Sequence, residues 1–313
     1  DEQSKAVGDE SNKLTGEKIK VSDKATGIYS KDNNKVEIKN IEVDGQDTVG
    51  IYSEKNTTLK NINISSSKSA VGIYGKEGKI TFSGNNILNL SNKGTGIYLE
   101  EASLNEGNIK LVNKDTPDKK DSLVGVYFKD SKSSVNTSNI SIDNGTKLIG
   151  LYLDNAIVSN EGKIEATLGS SNTLAFVANG STFKNTTNGT LNLTSSDSHA
   201  IYVNNGSAEN TGNITVDNED NNKPSVAMTG IKKDNDVNLT NDGKINISNN
   251  SIGMYLDKGA IGNNTKEIVA QKKDSVGVYV SGNETKFTNT GKISADNIGV
   301  YLNKTKEKNI TIG

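Results

Sequence analysis

The chain contains no cysteine, no arginine and no tryptophan, and only one histidine and two prolines in 313 residues. Without cysteine there are no disulfides, no thiolate nucleophile and no soft metal site, which excludes a disulfide-stapled secreted module. Without arginine the bidentate clamps that grip phosphate or carboxylate are missing. The 36 basic residues are therefore all lysine, set against 38 acidic ones for a net charge of -2, and nucleic acid is not an expected partner. No run of about 18 apolar residues occurs, so no helix is expected to cross a membrane. The stretch from Asp1 to Lys13 is polar throughout, without the apolar centre of a signal peptide, as expected of an internal segment of a longer chain. At 32% hydrophobic and 5% aromatic residues the chain is too thin in apolar groups for one or two large cores. A narrow core repeated many times fits better.

What the chain does have is a period. Each tyrosine follows a small residue by two places, in strings such as VGIYS and IGMYL, at Tyr29, Tyr52, Tyr74, Tyr98, Tyr127, Tyr152, Tyr202, Tyr255, Tyr279 and Tyr301. Two degenerate copies, around Ala175 and Ala227, fill the gaps and bring the count to twelve units stepping by 22 to 29 residues. On this alignment the tyrosine row is broken at Val177 and Thr229. A repeat of this size marks a solenoid. Apolar residues alternate with period two in short bursts and nowhere sustain a helical spacing, so the chain reads as all-β.

A second burst follows each motif, as in Val36 to Val43 or Gly243 to Ile247. In several units an asparagine stands two places before a glycine: Asn105, Asn160, Asn210, Asn241 and Asn289. Both residue types tolerate positive φ, so a tight turn is the first reading. Stacked coils would also let these amides form a ladder. Strand, Asn-x-Gly turn, strand and a further turn make one coil of a parallel β-helix with about 12 coils and a period near 25. At about 4.8 Å per coil such a rod is roughly 58 Å long. Residues 1–313 then form one β-helical segment, with 1–26 as a partial first coil or N-terminal edge and longer loops near 112–122 and 217–225.

The residues one before and one after the small residue, such as Val49 and Ile51, are nearly always apolar and read as one inner face. Period two then sends tyrosine outward together with the small residue. Ala175, Ala200 and Ala227 replace glycine, so the site needs low volume rather than positive φ, and a neighbouring ring leaning over it would supply the reason. An outward row of rings either stiffens the rod by stacking or serves as a binding strip for glycan or protein.

Both prolines fall in the two longest steps, where solvated loops could also make contacts through Asp115, Pro117, Lys119, Lys120, Asp217, Glu219, Asp220 and Pro224. A calcium site at Asp217, Glu219 and Asp220 has little behind it, because the glycine-rich pattern of calcium β-rolls is absent. Catalysis also has little support. His199 adjoins Ser198 and Asp197, but neighbours in a strand point to opposite faces. His199 fills a slot held elsewhere by Val or Ile, which marks it as a core histidine with a local hydrogen bond. Carboxylate pairs for glycan hydrolysis are scarce in the motif strands. No enzyme activity, cofactor or metal is expected.

The repeated GIY strand followed by N-x-G-x-I-x-V, in an Asn/Lys/Ile-rich chain without cysteine or arginine, resembles the passenger region of bacterial type V autotransporters. The likeness covers about residues 14 to 313 and is nearest the fusobacterial outer-membrane adhesins of the RadD type. It implies a right-handed β-helical stalk, carried to the cell surface by a C-terminal translocator barrel that this chain does not include. Anchored at the outer membrane of the full-length parent, such a stalk attaches to a protein or glycan receptor on host cells or other bacteria, with roles in virulence and coaggregation. A passive spacer that associates with itself is the alternative reading, and a polysaccharide lyase or hydrolase a remote one.

Overall fold

The computed structural model describes residues 13–115, 122–132, 134–143, 145–218, 223–303 and 309–312. Among them there are strands and turns and no helix. Every strand pairing is parallel, and each strand meets its counterpart one coil away. The twelve motif strands, from Thr26–Ser30 to Ile298–Leu302, stack in one 12-stranded sheet in chain order. The rod is a parallel β-solenoid of about 12 coils, as the period requires.

From the coil that opens with Val49–Ser53 onward, the coils carry three main strands rather than two. Between the motif strand and the apolar second burst lies a short strand that ends at the Asn-x-Gly turn, for example Ile157–Asn160 before Lys163–Ala166 and Val237–Asn241 before Lys244–Asn249. The short and third strands belong to one 23-stranded sheet, which together with the 12-stranded motif sheet encloses the interior. Lys13–Ser22 and Asn34–Asp44 run unbroken through the corner that later coils turn with asparagine. The Lys13–Ser22 strand precedes the first motif strand and pairs with Asn34–Asp44.

Aliphatic side chains and four of the five phenylalanines, Phe82, Phe128, Phe183 and Phe287, fill the interior. In register, one column reads Ile41, Ile64, Leu88, Leu111, Ile142, Ala166, Leu193. Each coil thus buries a thin slice of core against the next, and the low apolar content suffices because the slices are continuous.

The small residue of the motif faces inward, contrary to the sequence expectation. Strict alternation fails at this position: the ladder pairs Val49 with Val71 and Ile51 with Ile73, and both Gly50 and Ile51 are buried while Val49 is half-exposed. A Cβ on Gly50, Gly72, Gly96 or Gly125 would lie 2.5–2.9 Å from the carbonyl oxygen of the next coil's small residue, with core methyl groups beside it. Low volume is indeed the requirement. What imposes it is the adjacent backbone and the core, not a tyrosine ring.

Candidate interaction face

Because of that break in alternation, the outer surface of the motif sheet carries three columns. The first holds the residue before the small one (Val49, Val71, Thr95, Val124, Ile149), the second the tyrosines, and the third the residue two places after tyrosine. The first column was expected in the core; it lies on the outer side, half-exposed in most coils and covered at Thr173, Val226 and Ile252, and His199 belongs to it.

The tyrosines do point outward, and their rings stack. Centroids from Tyr29 to Tyr52 are 5.6 Å apart, and from Tyr52 through Tyr74, Tyr98 and Tyr127 to Tyr152 they are 4.9–5.0 Å apart, close to the spacing of the coils. The expected break at Val177 does not exist. Tyr152 pairs with Phe176, whose ring stacks on Tyr152 and on Tyr202 at 5.1 Å each. The alignment was one residue off, since Leu174, not Ala175, occupies the small slot there. Leu174 is fully buried, and the column residue that packs under the small slot in other coils, Leu88 under Gly96 and Leu111 under Gly125, has shrunk to Ala166 in this coil. One volume has been exchanged for another.

The break at Thr229 is real, and His199 covers it. The imidazole Nδ1 lies 2.8 Å from the Thr229 hydroxyl, and the ring stands edge-on to Tyr202 at 5.1 Å. Thr229 is consequently only 1% exposed. Burial lowers the His199 pKa to about 4, with Asp197 pulling weakly the other way. Ser198 faces inside, donating to the Ser196 carbonyl at 2.6 Å, so serine and histidine do not meet.

Phenol hydroxyls tie the second column to the third. Tyr29 donates to Glu54 at 2.6 Å, Tyr74 to Glu100 and Tyr127 to Asp154, each carboxylate belonging to the next coil. Burial, followed by the bond to Glu100, raises the Tyr74 pKa, and Tyr127 responds in the same way to burial and Asp154. The phenols therefore stay protonated donors far above neutral pH.

The two other outer faces are built differently. Their lysines and carboxylates bridge neighbouring coils, as in Lys13–Glu37 at 2.8 Å, Lys18–Glu42 at 2.5 Å and Lys184–Glu209 at 3.2 Å. Lys13 and Lys35 together hold the Glu37 carboxyl down to about 2. Asparagines there join coil to coil as well, Asn89 donating to Asn63 at 2.6 Å and Asn63 to Asn40 at 3.2 Å.

At the corner between the short and third strands the asparagines form a buried ladder. Side-chain amides donate in sequence from Asn136 to Asn160, Asn185, Asn210, Asn241, Asn264 and Asn289 at 2.7–2.9 Å. Asn105 is not a rung: Leu104 pairs with Asn136, and the Asn105 carbonyl instead accepts from the Thr137 hydroxyl at 2.9 Å. Asn136, Asn185 and Asn264 lack the Asn-x-Gly signature and were missed; a strand ending in asparagine once per coil is the signal that finds them. The turn glycines Gly162, Gly212, Gly243 and Gly291 do not take positive φ. A Cβ on each would strike a carbonyl oxygen of the adjoining coil, so close approach is their reason. Only the Asn105 turn uses positive φ, at Glu106 and Gly107.

Of the loop candidates, Asp115 accepts from the Asn92 amide at 2.9 Å, Asp217 accepts from the Asn249 side chain, and Pro224 is exposed. Pro117, Lys119, Lys120, Glu219 and Asp220 lie outside the described residues. Among the described residues no group of three or more His, Asp or Glu is placed to hold a metal ion.

A family model described as the BigA third pectate lyase-like domain matches residues 129–265. That stretch runs from the fifth motif strand past the tenth and carries most of the asparagine ladder. Its description fits the parallel β-helical fold seen here, and the match is to a BigA domain rather than to a RadD-type passenger. No curated protein and no solved structure matches the chain.

Proposed function

We infer that this chain is a passenger-type segment of a bacterial surface adhesin, a rod that holds the motif face out as a contact surface on host cells or other bacteria. The observation that carries this reading is the unequal finish of the three faces. Two bind their own charges into ion pairs and amide contacts between coils. The third presents stacked rings from Tyr29 to Tyr202, beside a column that is half-exposed at Val49, Val71, Thr95, Val124 and Ile149, and aromatic rings are the side chains enriched at interfaces. The likeness to a BigA domain supports a bacterial surface location, and on this reading the parent protein is anchored at the outer membrane. A pectate lyase-like fold brings no reaction with it, because activity belongs to sites rather than folds.

The test is attachment of cells to the immobilised protein, comparing wild type with the triple variant Tyr98→Ser, Tyr127→Ser and Tyr152→Ser. Loss of three aromatic contacts is expected to weaken attachment by at least about tenfold while circular dichroism remains β-rich. Unchanged attachment by the folded variant would remove the tyrosine row from the contact surface.

A further inference from the structure

The third column of the motif face alternates in charge. Reading up the rod, successive coils place Lys31, Glu54, Lys76, Glu100, Lys129 and Asp154 there, and the next coils bring the uncharged Ala178, Asn204 and Ile231. The two signs differ in their partners, although Lys129 also interacts with the Tyr98 hydroxyl and with Asp130 and Glu100. Each carboxylate accepts a tyrosine hydroxyl from the coil before it. Among the described residues, Lys31, Lys76 and Lys129 make no ion pair within 4.0 Å, whereas lysines on the strands of the other two faces repeatedly do. Lys31 and Lys76 thus stand beside the aromatic stack without a close ion pair, and Lys129 turns to the Tyr98 hydroxyl rather than to a carboxylate within 4.0 Å.

A six-member column of alternating sign has a symmetry consequence. Consider a two-fold axis lying in the plane of the face, parallel to its strands and midway between the coils of Lys76 and Glu100. This operation turns a second copy face to face and end for end while keeping each column opposite itself. It sets Lys31 against Asp154, Glu54 against Lys129 and Lys76 against Glu100, in both directions, as an isologous contact requires. Aromatic column meets aromatic column in the same register, Tyr74 opposite Tyr98 and Tyr52 opposite Tyr127. A slip by one coil would oppose like charges wherever two members of the column meet, so the alternation fixes the register as well as the antiparallel sense.

We propose that the motif face of the first six coils binds a second copy of this chain, antiparallel and face to face. The inference rests on the motif face being the contact surface and names its occupant. Strands of about five residues over six coils offer about 500 Å² per copy, or about 1,000 Å² in total, at the low end for a specific interface. A single contact of that size is weak and reversible, and rods displayed in many copies on two apposed surfaces would gain strength by avidity.

The experiment is sedimentation velocity on the full chain across micromolar concentrations, with two charge variants. One carries Lys31→Glu, Lys76→Glu and Lys129→Glu, which leaves every tyrosine acceptor intact; the other carries Glu54→Lys, Glu100→Lys and Asp154→Lys. Wild type is expected to dimerise, each variant alone to stay monomeric with its β-rich dichroism, and an equimolar mixture of the two to dimerise again. Should the second variant fail to fold, the first alone still decides, because dimerisation equal to wild type would overturn the proposal. A mixture of folded variants that stays monomeric would overturn it too. A wild-type chain that never dimerises yet attaches to cells through its tyrosines would end the homotypic inference and leave the contact face standing.

Discussion

Two ladders of identical side chains run up this rod, one inside and one outside, and they differ in what they can do. The asparagine ladder is buried, each amide both donating and accepting within the chain, so its whole hydrogen-bonding capacity along the stack is spent on holding coils in register. The tyrosine ladder has the same coil spacing but lies on the surface, where stacking consumes ring faces and leaves edges in water. Repetition of a side chain is thus a structural device in both, and only the outer ladder has anything left to offer a partner.

Breaking each ladder at its middle measures that difference. Asn210→Leu strands the Asn185 donor and the Asn241 acceptor in a dry corner, and about 2–4 kcal/mol of stability is expected to go, read as a fall in the urea midpoint. The next effect is at the outer ladder's own gap. Folding depresses the His199 pKa from 6.5 to about 4, so folding favours the neutral ring. Stability from this site is then complete above pH 6.5, declines as pH falls toward 4 and is flat below it, by no more than about 3 kcal/mol and less for the ring's partial exposure. Denaturation of His199→Gln and wild type at pH 7 and pH 4 should show the extra loss in wild type only. Tyr127→Ser removes two stacking contacts, to Tyr98 and Tyr152, at an expected loss of about 1–2 kcal/mol. Tyr127→Phe keeps both and gives up only the bond to Asp154, for about 0.5 kcal/mol in this half-exposed setting. An outer substitution that destabilises as much as Asn210→Leu would erase the distinction between the ladders.

The period, the all-β class and the outward tyrosines were legible because a parallel solenoid repeats in register, so one marker residue dates every coil. The direction of the small residue was not. Period-two reasoning assumes an unbroken ladder, and at Gly50 and its equivalents two consecutive residues face the core. The third strand per coil escaped notice because segments such as Ile157–Asn160 are four residues long and end in a turn residue. Phe176 was hidden by the same one-residue displacement that put Leu174 into the small slot. The interior ladder was half visible: asparagine followed by glycine was seen, but Asn185 and Asn264 close their turns with other sequences, and burial rather than turn type is what unites the rungs. The charge column left a plain mark in the sequence, two residues beyond each of the first six tyrosines, but its meaning depends on knowing that those positions share one outer face.

Hydroxyl-radical footprinting of the protein, free and attached to cells or to itself, tests the central claim most directly. The account predicts protection along Tyr52, Tyr74, Tyr98, Tyr127 and Tyr152, with the ion-paired faces around Glu37, Glu42 and Asn63 unchanged. Protection confined to those polar faces, with the tyrosines as reactive as in the free chain, would contradict it.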